Sequence, residues 1–163
     1  MNPAPAAAPD DVVAVLRRRG QTLAVAESLT GGELCSRLVG VPGVSAVLRG
    51  GVVAYATDLK GSLLGVDGDL LARHGAVHPE VAGAMARGAA ARLGADWGVA
   101  TTGVAGPQPQ DGHPPGTVHV AVHGPDGPGA CRVITLALDG DRAAVRTAAV
   151  AAALDLLLVL LSA

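Results

Sequence analysis

The chain has 163 residues, half of them hydrophobic, which is enough for one domain with a full core and too apolar for a disordered tail. Twelve basic residues against fourteen acidic ones leave a formal charge of −2, which argues against a nucleic-acid binder held by phosphate neutralisation. With one Trp, one Tyr and no Phe, it also lacks stacking platforms for bases.

Residues 1–9 are Pro/Ala-rich and expected to fray, with the domain proper at 10–163. The opening MNPAPAAAPDD places Pro and acid where a secretory leader needs a basic start and an apolar run, so a cytoplasmic setting with reduced thiols is the expectation. Asp10 or Asp11 can cap a first helix, DDVVAVLRRRG, that ends in arginines and stops at Gly20. QTLAVAES reads as a short buried strand, broken sharply at SLTGG before a second helix, ELCSRLVG. RGGVVAYA is the next strand and TDLKGSLLG a helical turn or short helix. In HPEVAGAMARGAAARLG, Pro79 suits the first helical position, and Val81, Met85, Ala89 and Leu93 recur every four residues on one face.

ADWGVATTGVAGP repeats the pattern of a buried strand running into a Gly-rich turn. PQPQDGHPP is loop chemistry, and GTVHVAVHG and ACRVITLAL are two alternating strands joined by GPDGPG. DGDRAAVRTAAVAAALDLLLVLL closes the chain as a long helix. Asp155 interrupts its apolar end, which falls short of the roughly 20 residues of a membrane span, so no membrane partner is expected. Leu154 to Leu161 carry more apolar residues than one helix face needs, which predicts burial in the core and a homodimer or larger homo-oligomer. Strands and helices interleave throughout, giving a single α/β domain with a helix-covered sheet.

Chemistry is most legible in a subtraction. Eleven of the twelve basic residues are arginine and one, Lys60, is lysine. Arginine stays charged, whereas a desolvated lysine can become a neutral amine at working pH. The sole tyrosine, Tyr55, lies five residues before it at the strand exit. Ser28 follows a buried strand and precedes a helix whose free N–H groups point outward. It reads either as a turn residue or as a nucleophile whose proton a neutral lysine removes, with backbone donors around Thr30–Gly32 holding the oxyanion. Thr30 is the more natural helix cap, which leaves Ser28 free.

Gly31 and Gly32, and the turn TTGVAGP that contains Thr102, Gly103, Ala105 and Gly106, allow backbone to approach a ligand at strand ends, where open α/β sheets bind. Asp139, Asp141, Arg142 and Arg146 read as a solvated, capped helix start, with Arg142 able to face an anion. His74 and His78 straddle a helix start as capping or surface residues. His119 and His123 share a strand face about 13 Å apart, too far to hold one metal. Cys35 and Cys131 show no CxxC or Cys/His spacing, so no structural zinc is expected.

Taken in order, AESLTGG, GGVVAYATDLKGSLLGV, HGAVHPEVAGAMARGAAARLGAD, TTGVAGP and PPGTVHVA resemble the C-terminal domain of the competence/damage-inducible protein CinA. That family includes stand-alone nicotinamide-nucleotide amidases of the PncC type. The resemblance covers about residues 10–160. It implies a three-layer fold, a mixed β-sheet covered by helices on both faces. It further implies an amidohydrolase that converts nicotinamide mononucleotide to nicotinic acid mononucleotide and ammonia, without metal or cofactor. Its Ser/Lys/Tyr set falls on Ser28, Lys60 and Tyr55, its Gly-rich nucleotide turn on Gly103–Pro107, and its Gly-Asp-Arg helix start on Gly140–Arg142. The chain departs from the family's usual Ser-Asn-Glu at Ala56, Thr57 and Asp58, and from its usual Gly-Gly pair at Gln108–Gly112. Those departures leave two alternatives: a nucleotide-binding or regulatory module without turnover, and an amidase for another carboxamide.

Overall fold

The computed structural model describes residues 7–127 and 129–163. Five strands, β1 (Leu23–Glu27), β2 (Leu48–Val53), β3 (Trp97–Gly103), β4 (Thr117–His123) and β5 (Cys131–Ala137), form one sheet in the order β2-β1-β3-β4-β5. β1 pairs in parallel with β2 and β3, while β4 and β5 extend the sheet antiparallel, so the sheet is mixed as expected. Among the described residues, six α-helices cover it: α1 (Pro9–Arg19), α2 (Glu33–Val39), α3 (Thr57–Leu64), α4 (Gly68–His74), α5 (Pro79–Leu93) and α6 (Arg142–Leu161).

Strand alternation assigns the two faces. Leu23, Val25, Trp97, Val99 and the valines of β4 pack against α1, α2 and α6, whereas Ala24, Ala26, Ala100 and Ala121 meet α3, α4 and α5. The alanine face lets α5 approach closely. A Cβ on Gly98 would run into the carbonyl of Ala86, and one on Gly88 into that of Leu64. Gly98→Ala is therefore expected to lower the unfolding free energy by about 1–3 kcal/mol through backbone displacement. Gly68→Ala, where nothing lies within 4 Å of the added carbon, serves as the control in denaturant melts.

Several local expectations shift. Ala8, not Asp10 or Asp11, is the N-cap of α1; Pro9 takes the first helical position and both aspartates lie in the first turn. The fraying expected of residues 1–9 falls mostly outside the described residues, and Pro9 is already helical. α4 is an addition to the expected elements; Asp67 caps it by accepting the Asp69 N–H. α6 is 20 residues long and apolar enough to cross a bilayer by length and composition. The core accounts for one face of it, where Val145, Ala149, Val150, Ala153, Leu154, Leu157 and Leu161 are buried, while Leu156, Leu158 and Leu160 are half-buried and Val159 is 65% exposed.

The topology also makes a crevice. β1 leads into α2 on one face of the sheet, while its neighbour β2 leads into α3 on the other. Chain segments that part from adjacent parallel strands leave a gap at the strands' carboxyl ends.

Candidate active site

The exit of β1 is held from several sides. Glu27, buried at the end of the strand, accepts the N–H groups of Leu34 and Cys35 at 2.9 and 3.0 Å. Its carboxylate thus caps α2, whose own N-cap residue, Gly32, gives no side-chain bond. The Ser28 N–H donates to Thr101 O, and Thr30 Oγ1 shares a 2.8 Å hydrogen bond with Thr101 Oγ1. Arg146 reaches across from α6 and donates to the carbonyls of Leu29 and Thr30 at 2.9 and 3.1 Å. Ser28 therefore sits on a turn fixed by both chain neighbours and a distant helix.

Lys60, on α3, has 0% of its surface exposed. Its Nζ lies 2.9 Å from Ser28 Oγ, 2.7 Å from Ala54 O and 3.3 Å from Tyr55 O. Burial pushes the amine from 10.5 down to about 8, with the Asp111 carboxylate acting in the opposite direction. The partner set accommodates both protonation states. The ammonium donates its three N–H groups to Ser28 Oγ and the two carbonyls, whereas the neutral amine keeps the two carbonyls and turns its lone pair to the Ser28 hydroxyl, which then becomes the donor.

A cavity of about 410 Å3 opens beside this pair, in the size class of small-ligand sites. Ser28, Leu29 and Tyr55 line one part, Ala76 and Val77 another, and the run from Thr102 to Gln110 most of the rest. Arg142 is the one charged side chain in this lining, among the described residues. It donates to Gly106 O at 2.6 Å and to the Tyr55 hydroxyl at 3.1 Å. Thr102 lines the cavity while its Oγ1 donates to Ala76 O at 2.7 Å.

The structure thus gathers Ser28, Tyr55, Thr102, Gly103, Ala105, Gly106 and Arg142 around one space, with Lys60 buried behind Ser28. Three other expected positions fall elsewhere. Thr30, Gly31 and Gly32 lie outside the lining, and the Gly31 N–H is already committed to Ser28 O at 3.1 Å. Thr30 does not cap α2, because its hydroxyl is turned into the sheet toward Thr101. At Tyr55 it is the carbonyl that contacts Lys60, and the ring is largely exposed at the cavity rim. His78 does cap α5, with Nδ1 accepting the Glu80 N–H, while His74 ends α4 and stacks on His78.

Two supports escaped the sequence reading. Glu27 lay within the AES segment but was overlooked as a cap from the preceding strand. Arg146 was read as solvated, although it stands four residues after Arg142 and so on the same helix face.

Comparison with known proteins agrees with this architecture. The profile of the CinA C-terminal domain matches residues 6–161. A CinA-like protein of Frankia casuarinae is 56% identical over 145 residues, covering 89% of this chain and 33% of that protein. One from Gloeobacter violaceus is 50% identical, covering 88% and 34%. The chain spans about a third of the length of these curated relatives. Solved structures match at nearly full length on both sides. A CinA superfamily protein of Klebsiella pneumoniae superposes with a TM-score of 0.89 at 34% identity, covering 94% of this chain and 95% of the other. One from Enterobacter cloacae gives 0.91 at 29% identity, covering 99% and 94%. With profile, sequence identity and fold all in agreement, the chain belongs to the CinA C-terminal domain family.

Proposed function

We propose that the chain is a serine amidohydrolase that deamidates nicotinamide mononucleotide. The observation that carries this reading is the fully buried Lys60 amine, 2.9 Å from Ser28 Oγ and depressed to about 8. Neutral Lys60 takes the Ser28 proton as Oγ bonds to the carboxamide carbon. The C–N bond then breaks while the ammonium of Lys60 returns that proton to the departing nitrogen, releasing ammonia. Water attacks the acyl-enzyme with Lys60 again as base, giving the carboxylate and restoring the Ser28 hydroxyl.

The amide of Leu29, which follows the nucleophile and lines the cavity, is the candidate oxyanion donor in place of Thr30–Gly32. In this reading Arg142 and the Gly103–Gly106 turn, which line the cavity, hold the phosphoribosyl group. The hydroxyl of Tyr55, accepting from Arg142, keeps its own proton free to relay toward the leaving group.

The test is ammonia release from a small carboxamide panel containing nicotinamide mononucleotide, nicotinamide and glutamine. Release from the mononucleotide with nicotinic acid mononucleotide as co-product is expected. Release from another member alone changes the substrate. Calorimetric binding of the mononucleotide with no ammonia formed selects the binding module instead.

A further inference from the structure

The loop after the cavity-lining turn ends in a small device that the reaction scheme does not use. Gln110 and His113 exchange two backbone bonds, at 3.1 and 2.9 Å, around Asp111 and Gly112. Both central residues have positive φ, 51° and 78°, the conformation of a tight two-residue hairpin for which Asp-Gly is favoured. Asp111 is the one non-glycine residue with positive φ among those described. Its Oδ2 accepts the Ala76 N–H at 2.9 Å, while the Ala76 carbonyl accepts from Thr102 Oγ1. The peptide is bare where the carboxyl docks, since a Cβ on Gly75 would lie 2.5 Å from Asp111 Cγ.

We infer that Asp111 is a positioning residue, latching the 107–116 loop onto Ala76 at the edge of the Ser28 cavity. Ala76 and Val77 form one side of the cavity and Gln108–Gln110 another, so the latch joins two walls of one site. The same carboxylate opposes the effect of burial on the Lys60 amine. His74 and His78 flank the docked segment and His113 stands on the hairpin; these imidazoles are common to the wild type and D111N, so their influence on Lys60 cancels in the comparison. Around Lys60 itself, Glu27 is committed to α2, the Tyr55 hydroxyl to Arg142, and Asp58 is exposed on Lys60's own helix.

The catalytic consequence of this latch rests on the amidase reading, but its test needs no substrate. Lys60 is the sole lysine, so selective 13Cε labelling gives one lysine resonance to titrate. Wild type is expected to titrate near 8 and D111N at lower pH, because asparagine keeps an acceptor for Ala76 but loses the charge. D111A is expected to speed hydrogen exchange at the Ala76 amide by about tenfold or more, and D111N to retain most of its protection. An unmoved lysine midpoint in D111N, or unchanged Ala76 exchange in D111A, overturns the assignment. Loss of turnover on nicotinamide mononucleotide by the wild type would instead sink the amidase reading and leave both readouts standing.

Discussion

Lys60→Arg is expected to slow ammonia release from nicotinamide mononucleotide by about 10^3-fold, the middle of the range for losing a general base. Guanidinium cannot shed its proton near neutrality, and its planar fork does not reproduce two N–H groups and a lone pair at one atom. Ser28→Ala is expected to lose more, on the order of 10^6-fold, because the acyl-enzyme cannot form. Since the two side chains act on one proton, the double variant should be no slower than Ser28→Ala alone. Single-turnover assays with saturating enzyme separate this loss from weaker binding. The wild-type rate should climb with pH and level off above about 8, where Lys60 is neutral. A Lys60→Arg variant within tenfold of wild type would remove Lys60 from the base role.

How much of this was visible in the chain alone depended on whether a signal was local. The strand-to-glycine breaks at SLTGG and TTGVAGP marked the carboxyl ends of β1 and β3, because buried apolar runs and Gly turns are encoded within a few residues. Lys60 stood out by its rarity among arginines, and its burial fits that reading. Contacts that span the chain were not legible. Arg146 meets Leu29 and Thr30 from more than a hundred residues away, and Asp111 meets Ala76 across 35. Only the topology brings α6 and the hairpin tip to the end of β1. Thr30 illustrates the opposite error. Its sequence position suited a cap, but β3 placed Thr101 within 2.8 Å of its hydroxyl, and Glu27 took over the helix terminus.

Between pH 7 and about 10.5 the wild type is expected to gain about 3 kcal/mol of unfolding free energy relative to Lys60→Met. Burial lowers the amine from 10.5 to about 8 in the folded protein, while the unfolded chain keeps the ordinary value. At pH 7 the unfolded chain is fully protonated and the folded one largely so, with about a tenth of its amine neutral, so the folded state carries nearly the full penalty of a desolvated charge. Between the two values the unfolded chain binds more protons than the folded one, so rising pH favours folding until both are neutral. Methionine is similar in volume but has no proton to lose. It also strips a donor from the Ala54 and Tyr55 carbonyls, an offset that does not vary with pH. Other groups that ionise in this window, such as Cys35 and Cys131, are common to both proteins and cancel in the difference. Urea melts of the two proteins at several pH values, with the slopes checked for constancy, give the comparison directly. Parallel stability curves would mean that Lys60 keeps an ordinary proton affinity in the fold. In that case the Ser28 hydroxyl would have no base beside it at neutral pH, and the thermodynamic and catalytic arguments would fail together.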